Sequence, residues 1–202
     1  MGWDPDTSVA ANPSYPCVID ENHRIAELYG FINVPAGVWI DEEGKLVRPP
    51  DNAGACDAFR TMDRTTFRMP KEAAAEARDK RRAYIAALCD WIENGAASKY
   101  ALASSDLRLL LSDVDANGES QLAAAHFRLG LELNRLGRAS EAQAHFAHAQ
   151  KLSPANWSYK RQAWELEQPG KAAGPEFWAA VDALGVRHYY PLISPGDGGH
   201  ER

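Results

Sequence analysis

The sequence predicts an α+β protein, with a short partial α/β unit over 13–60 followed by an all-α region over 70–192. Three observations carry that expectation. Composition shifts near residue 70: most prolines and the short β-branched runs precede it. After it, Ala, Leu, Glu, Arg and Lys dominate for roughly a hundred residues, a helix-forming mixture. A helical hairpin with matched apolar faces follows over 120–152. The Gly- and Pro-containing stretch 193–202 is expected to be a disordered tail.

The first unit reads as strand, helix, strand, strand. Tyr15-Pro16-Cys17-Val18-Ile19-Asp20 is a short apolar strand that ends in an acid. Asn22 is placed to cap a helix in which Ile25, Leu28 and Tyr29 fall at i, i+3 and i+4. Gly30 supplies its stop. Val34 to Ile40 enters a second strand, Asp41-Glu42-Glu43-Gly44 turns, and Lys45-Leu46-Val47-Arg48 returns antiparallel. Pro49-Pro50 then ends the pairing.

The second unit is helical throughout. A long helix runs from Glu72 to about Asn94, with Glu76 and Lys80 at i, i+4 on its polar side. A less regular helix is expected over 105–111. The hairpin helices over 120–137 and 139–152 turn at Leu136-Gly137-Arg138. Two more helices begin near Trp157 and Pro175.

Bulk properties exclude several functions. With a net charge of −6, the chain has no electrostatic footprint for nucleic acid or an anionic membrane. No apolar run approaches the ~18 residues of a membrane span, and the first residues resemble no signal peptide. Three scattered cysteines, Cys17, Cys56 and Cys89, make neither a disulfide scaffold nor a zinc site. A reducing cytoplasm is the expected compartment.

Residues 123–156 carry Leu129-Gly130, Leu133, Ala142, Phe146, Ala149 and Pro154 at fixed offsets. That pattern resembles one tetratricopeptide repeat, with His126 standing where the family has an aromatic. Small residues at 130 and 142 let two helices approach closely, Phe146 fills the gap, and Pro154 ends the second helix. One repeat does not make an array, so the hairpin is expected to pack on its neighbours.

Pro16-Cys17-Val18-Ile19-Asp20, Ala26-Glu27-Leu28-Tyr29-Gly30, Asn33-Val34-Pro35 and Trp39-Ile40-Asp41-Glu42-Glu43-Gly44 form a second set. Together they resemble the distal half of thioredoxin-like redoxins of the ResA/TlpA-like branch. The resemblance implies that Pro35 holds the place of the family's cis-proline. Asn33, Val34 and Pro35 would then form the wall on which a substrate peptide docks. Lys160 to Leu166 and Tyr189-Tyr190-Pro191 resemble the helical region of larger ResA-like proteins. The family's Cys-x-x-Cys, or its single-Cys or selenocysteine variant, has no counterpart, and neither does the central strand that both predicted strands would flank. Three outcomes are expected from that gap: the strands pair with each other, another chain completes the sheet, or the protein begins upstream, for example at a selenocysteine codon read as a stop.

No residue is singled out as catalytic, cofactor-binding or metal-binding. Cys17 and Cys89 are expected to be small packed hydrophobes, and Cys56 an exposed loop thiol without an activator. Asp113-Val114-Asp115-Ala116-Asn117-Gly118 begins like a calcium loop, but its last position falls on Ala124. It is expected to be a polar turn with Ser120 capping the next helix. His145 and His148 lie one helical turn apart with His126 on the facing helix, and the three lack a carboxylate or cysteine at matching spacing. The functional expectation is a protein associated with thiol redox chemistry, without an active site of its own in this chain. With an upstream half it would be a thiol–disulfide oxidoreductase. The alternative is a non-catalytic interaction module that uses the hairpin groove and an open sheet edge, through a protein partner or self-association.

Overall fold

The structure, a computed structural model, describes residue 12 and residues 14–112 and 118–191. The calcium-like stretch 113–117 and the expected tail 193–202 lie outside the described residues. Among the described residues there are seven α-helices: α1 (Arg24–Leu28), α2 (Lys71–Asn94), α3 (Ser104–Ser112), α4 (Glu119–Arg135), α5 (Ala139–Leu152), α6 (Trp157–Glu167) and α7 (Pro175–Asp182). The described residues contain no strand or sheet; extended pairing is limited to two isolated antiparallel bridges, Gly37 with Asp51 and Ile40 with Leu46.

The predicted α+β class is therefore corrected to all-helical, and the partial thioredoxin-like sheet does not form among the described residues. The reason lies in which backbone groups find partners. Val47 N–H donates to Trp39 at 2.9 Å, and Gly37 and Asp51 exchange two bonds, but Pro49 and Pro50 between them have no N–H to give. The predicted turn closes, with Gly44 N–H on the Asp41 carbonyl at 3.0 Å, while the ladder on either side stays broken. The segment Cys17-Val18-Ile19 has no strand beside it and lies exposed, Val18 at 76%. The cap of α1 also moves. Asp20, and not Asn22, accepts from the Arg24, Ile25 and Ala26 amides at 2.7, 2.9 and 3.0 Å.

Among the described residues three apolar clusters hold the helices. The first lies inside the α4–α5 hairpin, where Phe127, Leu133, Ala142, Phe146 and Ala149 pack with Tyr159 and Ala163 of α6. Gly130 sits on Phe146 so closely that a Cβ there would lie 2.5 Å from the ring. Gly137, at φ +76°, makes the hairpin turn that L side chains rarely adopt. The second cluster joins Trp157, Phe177, Val181 and Tyr189, with Phe59 against them. The third sets Trp39 and Val47 against Ala87 of α2, with Tyr84 and Trp91 at its edge. No helix among the described residues is long and apolar enough to cross a membrane.

Candidate functional site

The 33–35 loop is fixed from behind by the chain's last described residues. Asn33 is buried; its Nδ2 donates to the Tyr189 carbonyl at 3.1 Å and its Oδ1 accepts from Val34 N–H at 2.9 Å. The Tyr190 hydroxyl donates to the Val34 carbonyl at 2.9 Å. Burial pushes the Tyr190 phenol up to about 12 and raises Tyr189 as well, so both stay protonated donors across the neutral range. Asp57 anchors the same tyrosine pair from the other side, accepting from the Tyr189 and Tyr190 amides at 3.0 and 2.8 Å. Arg60 completes the clamp by donating to the carbonyls of Val181, Gly185 and Arg187 at the end of α7.

The loop in turn docks onto α6. The Ile32 carbonyl accepts the two leading helix amides, Trp157 N–H at 2.7 Å and Ser158 N–H at 3.1 Å, and Asn156 caps Tyr159 N–H at 3.0 Å. Where loop and helix meet, an open cleft of about 420 Å³ runs between Val34 and the Ser158, Arg161, Gln162 and Glu165 side chains. Arg161 is held by the Ala172 carbonyl at 3.1 Å and by the Phe177 ring below its guanidinium. Glu165 accepts from Gly170 N–H. His23 closes one end, edge-on to Phe127; burial lowers its pKa, partly offset by Asp20, which favours the uncharged imidazole at neutral pH.

Thus Asn33 and Val34 meet in one site, with Asn33 as its buried support and Val34 and Pro35 on the exposed side; the Val34–Pro35 peptide is cis. The hairpin residues do not line this cleft. Gly130, Ala142, Phe146 and Ala149 are sealed in the hairpin, while Leu129 and Pro154 are exposed. The contributions of Arg161, Gln162 and Glu165 were not foreseen, although the stretch 160–166 carries the i, i+4 spacing of a one-sided helix face.

The chain matches no family model, no curated protein and no solved structure.

The thiols do not make a second site. Cys17, Cys56 and Cys89 are all free, and Cys17 and Cys89 are exposed where packed positions were expected. Cys56 is half-buried in a smaller cleft of about 210 Å³ that Asp57 and His188 also line. There Asp57 Oδ2 holds His188 Nδ1 at 3.3 Å. The hairpin histidines meet differently from a metal site. His126 and His145 set Nδ1 against Nδ1 at 2.8 Å with ring centroids 5.1 Å apart, a head-on N–H···N bond. A shared ion would need both lone pairs turned toward a third point. His148 donates Nδ1–H to the Ala144 carbonyl, since a carbonyl only accepts. Among the described residues no group of three or more His, Cys, Asp or Glu side chains is placed to hold a metal ion.

Proposed function

We propose that this chain is a non-catalytic binding module that receives an extended polypeptide in the cleft between the 33–35 loop and α6. The observation that supports it is the pairing of a pre-formed, hydrogen-bonded floor with an apolar rim. Asn33 and the two tyrosines hold the loop before any ligand arrives, so little ordering cost falls on binding. Val34, 56% exposed, offers apolar area. Ser158, Gln162 and Arg161 offer donors, and Glu165 an acceptor, for a passing main chain. A protein of thiol redox chemistry, the setting implied by the resemblance of residues 13–50, is the partner class to try first.

The test is selection of displayed 12-residue peptides on the immobilised chain, followed by fluorescence polarisation of the winners. Binding is expected to weaken at least tenfold with Val34→Asp at the rim and with Gln162→Trp filling the cleft. Peptides that bind both variants as well as wild type, or a selection that yields none, would overturn the proposal. The chain itself is expected not to turn over disulfides. Disulfide exchange starts from a thiolate with a resolving partner, and no Cys-x-x-Cys is present. Insulin reduction in the presence of dithiothreitol should match the rate without protein. A faster rate that disappears with Cys56→Ser would contradict this.

A further inference from the structure

The longest described helix, α2, is sparsely covered. Tyr84, Ala87, Leu88 and Trp91 pack α2 onto Trp39 and Val47. Ala87 is the only residue of α2 that is fully buried. The opposite face presents Arg78, Arg82, Ile85, Cys89, Ile92 and Glu93, all exposed. At 3.6 residues per turn these six fall within about 100° of arc, with Cys89 near its centre. Ile85 is 52% exposed and Ile92 70%, which is unusual for two isoleucines one above the other on a single helix.

The row is ordered by charge along the axis. Basic residues lie toward its N-terminal side, the isoleucines and the thiol in the middle, and an acid at its C-terminal end. We propose that this face pairs with the same face of a second copy of the chain, antiparallel, with the two-fold axis passing by Cys89. Such an isologous contact sets the isoleucines of each copy around the axis against those of the other. It also brings Arg82 of one copy within about 4.5 Å of axial rise of Glu93 of the second copy, a gap that a guanidinium spans. A parallel pair would instead stack Arg82 on Arg82 and Glu93 on Glu93. Antiparallel helices also oppose their dipoles favourably.

The contact is small, of the size of transient interfaces, so the dimer is expected to be weak and concentration-dependent. Cys89 gives a direct readout. Two helices with axes about 8–10 Å apart place facing Cα atoms within the roughly 4.4–6.8 Å range a disulfide accepts. Diamide takes two electrons and two protons from a pair of facing thiols, becomes the hydrazine, and leaves one disulfide.

The experiment uses the full chain in two arms. In the first, diamide treatment followed by non-reducing electrophoresis is expected to give a covalent dimer that Cys89→Ser abolishes and that Cys17→Ser and Cys56→Ser leave intact. In the second, sedimentation of reduced protein from micromolar to sub-millimolar concentration measures the dimer without the bond. Arg82→Glu and Glu93→Arg are each expected to weaken it at least fivefold, and the double variant to restore it. Circular dichroism confirms that these surface variants stay helical. A monomer at every concentration, a cross-link carried equally by Cys17 or Cys56, a dimer untouched by Ile85→Asp with Ile92→Asp, or a double charge swap that fails to restore association would each overturn the proposal.

Discussion

Replacing Phe146 by alanine is expected to cost about 3–5 kcal/mol of stability, the usual penalty for emptying an aromatic site in a sealed core. Phe146 is 1% exposed and packs with Phe127, whose ring centroid lies 5.5 Å away, and with Gly130. The helices on either side are tied by the hairpin turn and by α6, so the site cannot collapse far. For a chain of this size that loss lowers the melting midpoint by roughly 6–20 °C. Gly130→Ala tests the same contact from the other side. Alanine gains about 1 kcal/mol of helix propensity, but its Cβ would lie 2.5 Å from the Phe146 ring. The overlap outweighs the gain, for a net loss of about 1–2 kcal/mol. In the Phe146→Ala background the methyl enters the vacated space, and Gly130→Ala becomes neutral or stabilising. Chemical denaturation of the four-member cycle reads this coupling. A Phe146→Ala loss below about 1 kcal/mol, or additive singles, would show that the hairpin is not held by this ring.

The hairpin was legible in the sequence because its information is local. Gly130, Ala142 and Ala149 are small and Phe146 is large, on two helices joined by a short turn, so local spacing encodes the contact. Residues 13–50 were misread for the opposite reason. Their short apolar runs fit strands, but a strand exists only if another supplies its hydrogen bonds, and local sequence does not say whether one does. Here the acceptors and donors are elsewhere: the Ile32 carbonyl serves α6, and Asn33 serves Tyr189. Of the candidate cleft, Asn33 and Val34 were visible from resemblance. The support from Tyr189 and Tyr190 spans more than 150 positions, and no local pattern encodes a contact at that range. Cys89 was misplaced because a 24-residue helix with apolar residues on two faces does not declare which of them packs.

Arg48 and Asp51 are expected to give the second large effect, and its size should depend on what replaces the acid. Both side chains are buried, with Arg48 Nη2 at 3.4 Å from Asp51 Oδ2 and the guanidinium 4.8 Å over the Trp39 ring. Arg48 Nε and Nη1 have no hydrogen-bond acceptor among the described residues, and Asp51 is the one carboxylate there that pairs with the buried cation. Asp51→Leu removes that acceptor and should cost about 3–5 kcal/mol. Asp51→Asn keeps one acceptor oxygen, for Arg48 or for the Ala53 amide that Asp51 Oδ1 accepts at 2.9 Å, and turns an NH2 donor toward the other, so it should cost less than Asp51→Leu. Burial raises the Asp51 pKa against the opposing pull of the Ala53 amide and Arg48. Desolvation therefore outweighs the attraction of the pair, and what Arg48 requires from position 51 is an acceptor more than a negative charge. The sign of the pH dependence follows. Between the ordinary carboxylate value and the raised one, the folded chain holds a proton that the unfolded chain has released. The contribution of Asp51 to stability is thus present at lower pH and declines as pH rises through that window. Denaturation midpoints followed upward in pH from the ordinary carboxylate value should show this slope in the wild type and lose it in Asp51→Asn. Equal costs for the Leu and Asn variants, or a slope that survives Asp51→Asn, would place the stabilising charge somewhere other than this pair.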